Sequence, residues 1–189
     1  MLFFEEKTKY RTNIDLIYAK GKLIFGKSIF MKTIKQKKVI AIVAHDNRKK
    51  DMIEWVAFNW KELADHKLIC TGTTGKLVQE TLLQKCQEND AFPPDVTRLK
   101  SGPLGGDQQL GAHIADGIVD MLIFFWDPMQ PQPHDVDVKA LLRISTLYNI
   151  PVAMNRSTAD FLVSSTLFHE QYTPIIKDYS GYISRDISL

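Results

Sequence analysis

The run from Val39 to Ala44 is wholly apolar and rich in β-branched residues, and it stops abruptly at His45 and Asp46. Such a strand has no polar face to turn to water, so it belongs in a parallel sheet covered by helices on both sides. After it, Met52, Ile53, Val56, Trp60 and Leu63 recur at helical spacing with Asp51 placed as a cap, which predicts a crossover helix. The pattern then repeats. Lys67 to Cys70, Thr97 to Lys100, Met121 to Phe125 and Pro151 to Met154 read as further strands. Helices are predicted at about Lys76 to Leu83, Gln108 to Asp116, Val136 to Tyr148 and Ala159 to Ser164. This alternation specifies an α/β fold: a five-stranded parallel sheet with helices on both faces, in three α/β/α layers.

Composition narrows the function classes. At 189 residues the chain is long enough for one domain with a sizeable core. A net charge of +2, with basic residues scattered apart from Lys35 to Lys38 and Arg48 to Lys50, does not make a polyanion-binding surface, so nucleic acid is not the expected partner. Cys70 and Cys86 form neither a disulfide framework nor a zinc spacing, which fits a reducing, cytoplasmic location. The apolar run Met121 to Trp126 is far too short to span a bilayer, and the amino terminus lacks a signal-type pattern.

Four of the strands run directly into polar, glycine or imidazole clusters. Ligands of open parallel sheets bind beyond the carboxyl ends of the strands, so these clusters are expected to converge on one pocket. Thr71-Gly72-Thr73-Thr74-Gly75 reads alone as a turn with a threonine cap, or as a backbone curl whose amides and hydroxyls hold an anion on a helix N-terminus. It is not a Walker loop, since no Gly-Lys-Ser/Thr follows. Ser101-Gly102-Pro103 repeats the theme after the third strand, and Lys49 supplies a positive charge past the first. Together they point to a bound phosphate group.

Gly105-Gly106-Asp107-Gln108-Gln109 sets an acid at a helix start, where aspartate is most often a cap. A second acidic and imidazole cluster, Asp127-Pro128 through His134-Asp135-Val136-Asp137, follows the fourth strand on a proline-rich loop, the kind of segment that serves a site more often than a core. His45, His113 and His134 with these carboxylates lack any recognised metal-ligand spacing, so no metal is expected.

Val43-Ala44-His45-Asp46, Thr71 to Gly75, Ser101 to Gln109, Phe124-Phe125-Trp126-Asp127-Pro128 and Pro133-His134-Asp135 together resemble the methylglyoxal synthases, in order from about Lys38 to Tyr182. The resemblance implies a lyase that converts dihydroxyacetone phosphate to methylglyoxal and inorganic phosphate, with phosphate also an inhibitor. It implies a homohexamer of five-stranded α/β/α domains that needs no metal or organic cofactor. Residue by residue, Asp107 matches the catalytic base and His134 the imidazole at the substrate carbonyl. His45, Lys49, Thr71, Gly72, Thr73, Thr74, Ser101 and Gly102 match substrate-binding positions, and Asp127 and Asp137 match further active-site carboxylates.

The chain departs from the family in three places. Residues 1–36 precede the usual start, with Met31 standing like an ordinary initiator, so they are expected to be a dispensable extension to a catalytic domain spanning 37–189. Cys86 to Thr97, with Pro93-Pro94, is longer than the family pattern and is expected to form a surface loop. The position that resembles the family's carboxyl-terminal arginine holds Asp186, with Arg185 beside it. The competing function is a non-catalytic regulatory module of the same fold that binds small effectors at the same strand ends. Asp107 with His134 argues against it.

Overall fold

Side chains alternate along the central strand and sort into two cores. In the computed structural model, which describes residues 33–131 and 135–179 and a short antiparallel ladder of Tyr18–Ala19 with Lys22–Leu23, the strand β1 spans Val39–Ala44. Ile40, Ile42 and Ala44 enter one buried cluster, and Ala41 and Val43 enter the other. The strand β4, Met121–Phe125, divides the same way, with Met121, Ile123 and Phe125 on one side and Leu122 and Phe124 on the other. A strand buried on both faces must be apolar throughout, which is why these two runs are legible in the sequence.

The remaining strands are β2 (Lys67–Thr71), β3 (Val96–Leu99) and β5 (Val152–Ala153), and the sheet order is β3-β2-β1-β4-β5 with every neighbouring pair parallel. The order reverses at β1, between β2 and β4, so the crevice beyond Ala44 is the topological switch point where such sheets hold ligands. Helices α1 (Lys49–Phe58), α2 (Trp60–Ala64), α3 (Gly72–Glu88), α6 (Arg156–Ser164) and α7 (Thr166–His169) supply Met52, Leu63, Val78, Ala159 and Phe168 to the first cluster. Helices α4 (Gly106–Ala115) and α5 (Asp135–Leu147) supply Leu110 and Leu141 to the second. The five-stranded α/β/α architecture is therefore as expected.

Local details differ. The single helix expected through Leu63 breaks at Asn59, whose main-chain and side-chain N–H groups both donate to the Trp55 carbonyl at 3.0 Å. Asp51 is not its cap: a 3-10 turn at Asp46–Arg48 has already wound the chain, and Asp51 instead pairs with Arg156 of α6 at 3.1 Å. The expected surface loop from Cys86 is shorter, because α3 runs on to Glu88 and Cys86 is buried within it. Beyond α7, which the sequence did not reveal, Ile34 and Tyr172 form an antiparallel bridge.

Candidate active site

The Thr71 to Gly75 stretch is the first turn of a helix rather than a loop, since α3 begins at Gly72. A helix leaves its first N–H groups without intrahelical acceptors. The Gly72 N–H is used by the Lys100 carbonyl at 3.1 Å, and those of Thr73 and Thr74 follow it at a site suited to an anion. Glycine is required at position 72: φ is +44°, and a Cβ there would lie 2.8 Å from Cα and Cβ of Ser101. That close approach brings the starts of the two motifs together.

After β3 the chain makes a 3-10 turn at Gly102–Leu104 and enters α4 at Gly106. A Cβ on Gly106 would fall 2.1 Å from the Lys100 carbonyl oxygen, so only glycine lets α4 start against the strand end. The next residue, Asp107, is in the first turn of α4 and is 5% exposed.

These elements enclose a cavity of about 330 Å³ beyond the ends of β1, β2 and β3. Its wall includes His45, Lys49, Thr71, Gly72, Thr73, Thr74, Ser101, Gly102 and Asp107. All the expected binding positions and the expected base thus meet at one place. The Lys49 ammonium contacts the Asp46 carboxylate at 2.5 Å and also the Thr73 hydroxyl. The Thr74 hydroxyl donates to the Ala44 carbonyl at 3.4 Å, fastening α3 to the end of β1.

Asp46 and Pro103 also line the cavity and were not singled out as site residues. Each sits next to one that was, and that adjacency was the available signal. Asp127 is buried behind His45 rather than in the cavity wall, and its main-chain N–H donates to His45 Nδ1 at 3.3 Å. Hydrogen bonds from the Asn47 amide and the Met129 N–H hold the Asp127 carboxyl below the usual aspartate range. Asp137 lies in the first turn of α5 and is not among the lining residues. His134 lies outside the described residues, as do Arg185 and Asp186. Among the described residues, no group of three or more His, Cys, Asp or Glu is placed to hold a metal ion, and no helix is long and apolar enough to cross a membrane.

The family model described as MGS-like domain matches residues 51–154. A methylglyoxal synthase of Maridesulfovibrio salexigens is 56% identical over 154 residues, covering 79% of this chain and 98% of its own length. One from Proteus mirabilis is 51% identical over 152 residues, covering 80% of this chain and 93% of its own. The crystal structure of methylglyoxal synthase from Elizabethkingia anophelis superposes with a TM-score of 0.74 at 47% identity, covering 83% of this chain and 97% of that one. On this similarity in sequence and in fold, the chain belongs to the methylglyoxal synthase family of enzymes.

Proposed function

We propose that this enzyme converts dihydroxyacetone phosphate to methylglyoxal and inorganic phosphate, with Asp107 as the base. The observation that carries the reading is the meeting of a buried carboxylate with a helix N-terminus and a lysine in one cavity at the sheet's switch point. The N–H groups of Thr73 and Thr74, the Ser101-Gly102 turn and Lys49 suit a phosphate group, and Asp107 then faces the carbon end of the substrate.

The Asp107 carboxylate takes a proton from the hydroxyl-bearing carbon next to the ketone. The released electron pair forms a carbon–carbon double bond and leaves the charge on the former carbonyl oxygen. That proton is too weakly acidic for a carboxylate unless the oxygen receives a hydrogen bond, which a neutral imidazole supplies. His134 is assigned this part on family resemblance. As the terminal hydroxyl gives its proton to the departing phosphate and its oxygen becomes an aldehyde, its electrons shift along the carbon chain and the neighbouring carbon–oxygen bond breaks, releasing phosphate. The remaining enolate takes back on carbon the proton held by Asp107 to give methylglyoxal. A non-catalytic effector module would have no use for a buried carboxylate beside the phosphate site. Family resemblance also supports a cytoplasmic homohexamer that needs no cofactor.

The test is to supply dihydroxyacetone phosphate and follow dicarbonyl and phosphate together. Equal amounts of both are expected. Saturable binding with neither product would sink the proposal in favour of the effector module.

A further inference from the structure

Asn47 is exposed, precedes α1 in the Asp46–Arg48 turn, and has no part in the cavity wall. Its amide nevertheless makes two contacts across the sheet end. Nδ2 donates to Asp127 Oδ2 at 2.9 Å and to Gln130 Oε1 at 2.7 Å. The Met129 N–H donates to the other Asp127 oxygen at 3.0 Å. These bonds fix the turn that follows Trp126, and from that turn the Asp127 N–H reaches His45 Nδ1. The His45 ring is 6% exposed and packs edge-on against Phe124, with centroids 5.1 Å apart. A backbone donor at Nδ1 makes that nitrogen an acceptor, so the neutral ring carries its proton on Nε2.

We propose that Asn47 is a positioning residue for catalysis: by holding the Asp127 turn it fixes the orientation and tautomer of His45, a wall residue of the cavity. The inference takes the cavity to be the active site proposed above. Three observations favour a role beyond surface decoration. Both amide hydrogens are engaged. Their partners are on the loop after β4, roughly opposite in sequence but brought alongside by the β1–β4 pairing. The Asn47 hydrogen bond is also the largest influence holding the Asp127 carboxyl ionised. An ionised acceptor makes a shorter, stronger bond, which stiffens the turn.

Two variants test this without disturbing the core, since Asn47 is exposed. Asn47→Leu removes the donors at similar volume, and Asn47→Asp keeps the shape but leaves only acceptors. Nitrogen-15 shifts of the His45 ring report its tautomer with no substrate present. Wild type is expected to show one neutral tautomer protonated on Nε2, and both variants a mixture. Both should lose about tenfold in kcat/KM, the loss expected for one charge-assisted hydrogen bond. The proposal is overturned if either variant keeps the wild-type tautomer pattern. It is equally overturned if kcat/KM is unaffected. Should wild type fail to turn over dihydroxyacetone phosphate, the functional reading fails, while the tautomer measurement still decides whether Asn47 orients His45.

Discussion

Gln109 Oε1 accepts the main-chain N–H of Lys100 at 3.0 Å, which fastens the helix carrying Asp107 to the strand end that leads into Ser101. The proposed base and the phosphate site are therefore parts of one rigid join. Asp107→Asn keeps that join and the side-chain shape but cannot accept a proton. It is expected to retain much of the substrate affinity while losing at least the roughly 10²–10⁴-fold that positioned proton transfer contributes. Hydrogen exchange from the substrate carbon into deuterated water checks this. Wild-type exchange in the variant would remove Asp107 as the base.

The same join makes opposite predictions for two glycines of α4. An alanine at Gly106 would drive its Cβ to 2.1 Å from the Lys100 carbonyl oxygen and 2.9 Å from the Ser101 carbonyl carbon. Gly106→Ala is expected to destabilise by on the order of 1–3 kcal/mol, the range for overpacked sites, and to lower kcat by displacing Asp107. At Gly111 a Cβ meets nothing within 4 Å, so Gly111→Ala is expected to stabilise by roughly 0.5–1 kcal/mol. Chemical denaturation of both variants gives the comparison, and equal effects would contradict the packing argument.

Strands β1 and β4 were legible to the residue because burial on both faces leaves no polar position inside them, and His45 and Trp126 mark their ends. The start of α3 was not, because Thr71-Gly72-Thr73-Thr74-Gly75 has the composition of a turn. What makes it helical is tertiary: Gly72 sits against Ser101, and its N–H is taken by Lys100. That the proposed binding positions would share one cavity was legible because each lies at or just past a strand end or at a helix start. The support behind them was hidden, since nothing in Asn47 itself points to Asp127 or Gln130 across the sheet end.

Inorganic phosphate is expected to compete with substrate and to raise the melting temperature, as any ligand of the native state does. The Lys49 contact with Thr73 places its ammonium beside the start of α3. Lys49→Ala should weaken substrate binding by about 1.5–3 kcal/mol, the worth of one charge-assisted hydrogen bond. An unchanged KM, together with an undiminished phosphate effect on melting, would take Lys49 out of the site.

The bridge of Ile34 to Tyr172 puts the start of the proposed catalytic domain before the expected residue 37, and two truncations test this. Ile34 is 2% exposed and bridges Tyr172, with main-chain hydrogen bonds of 2.7 and 3.0 Å. A chain beginning at Met31 keeps this contact and is expected to match the full chain in melting temperature and turnover. One beginning at Gln36 loses a buried isoleucine and is expected to be less stable by about 2–5 kcal/mol, in the range for a large core deletion. A large loss on cutting at Met31 would show that the extension contributes to the domain.

The final expectation concerns pH, and it rests on His66, which is 4% exposed. Its Nδ1 accepts the Lys38 main-chain N–H at 3.4 Å, and its ring packs edge-on against Phe168 at 4.8 Å. Burial, and after it the nearby Lys38 charge, push the His66 pKa from 6.5 down to about 4. The folded state thus resists a proton that the unfolded chain accepts. Between those two values the unfolded state binds more protons, so stability is full above about pH 6.5 and is lost as pH falls toward 4. Carboxylate protonation acts in the same direction but mostly at lower pH, so the interval from roughly pH 5 to 6.5 separates histidine from carboxylate titration, and the variant separates His66 from the other histidines. His66→Asn keeps an acceptor for the Lys38 N–H but cannot be protonated in this range. Urea midpoints measured across that interval should fall with acidity in wild type and flatten in the variant, and parallel slopes would assign the acid sensitivity to other groups.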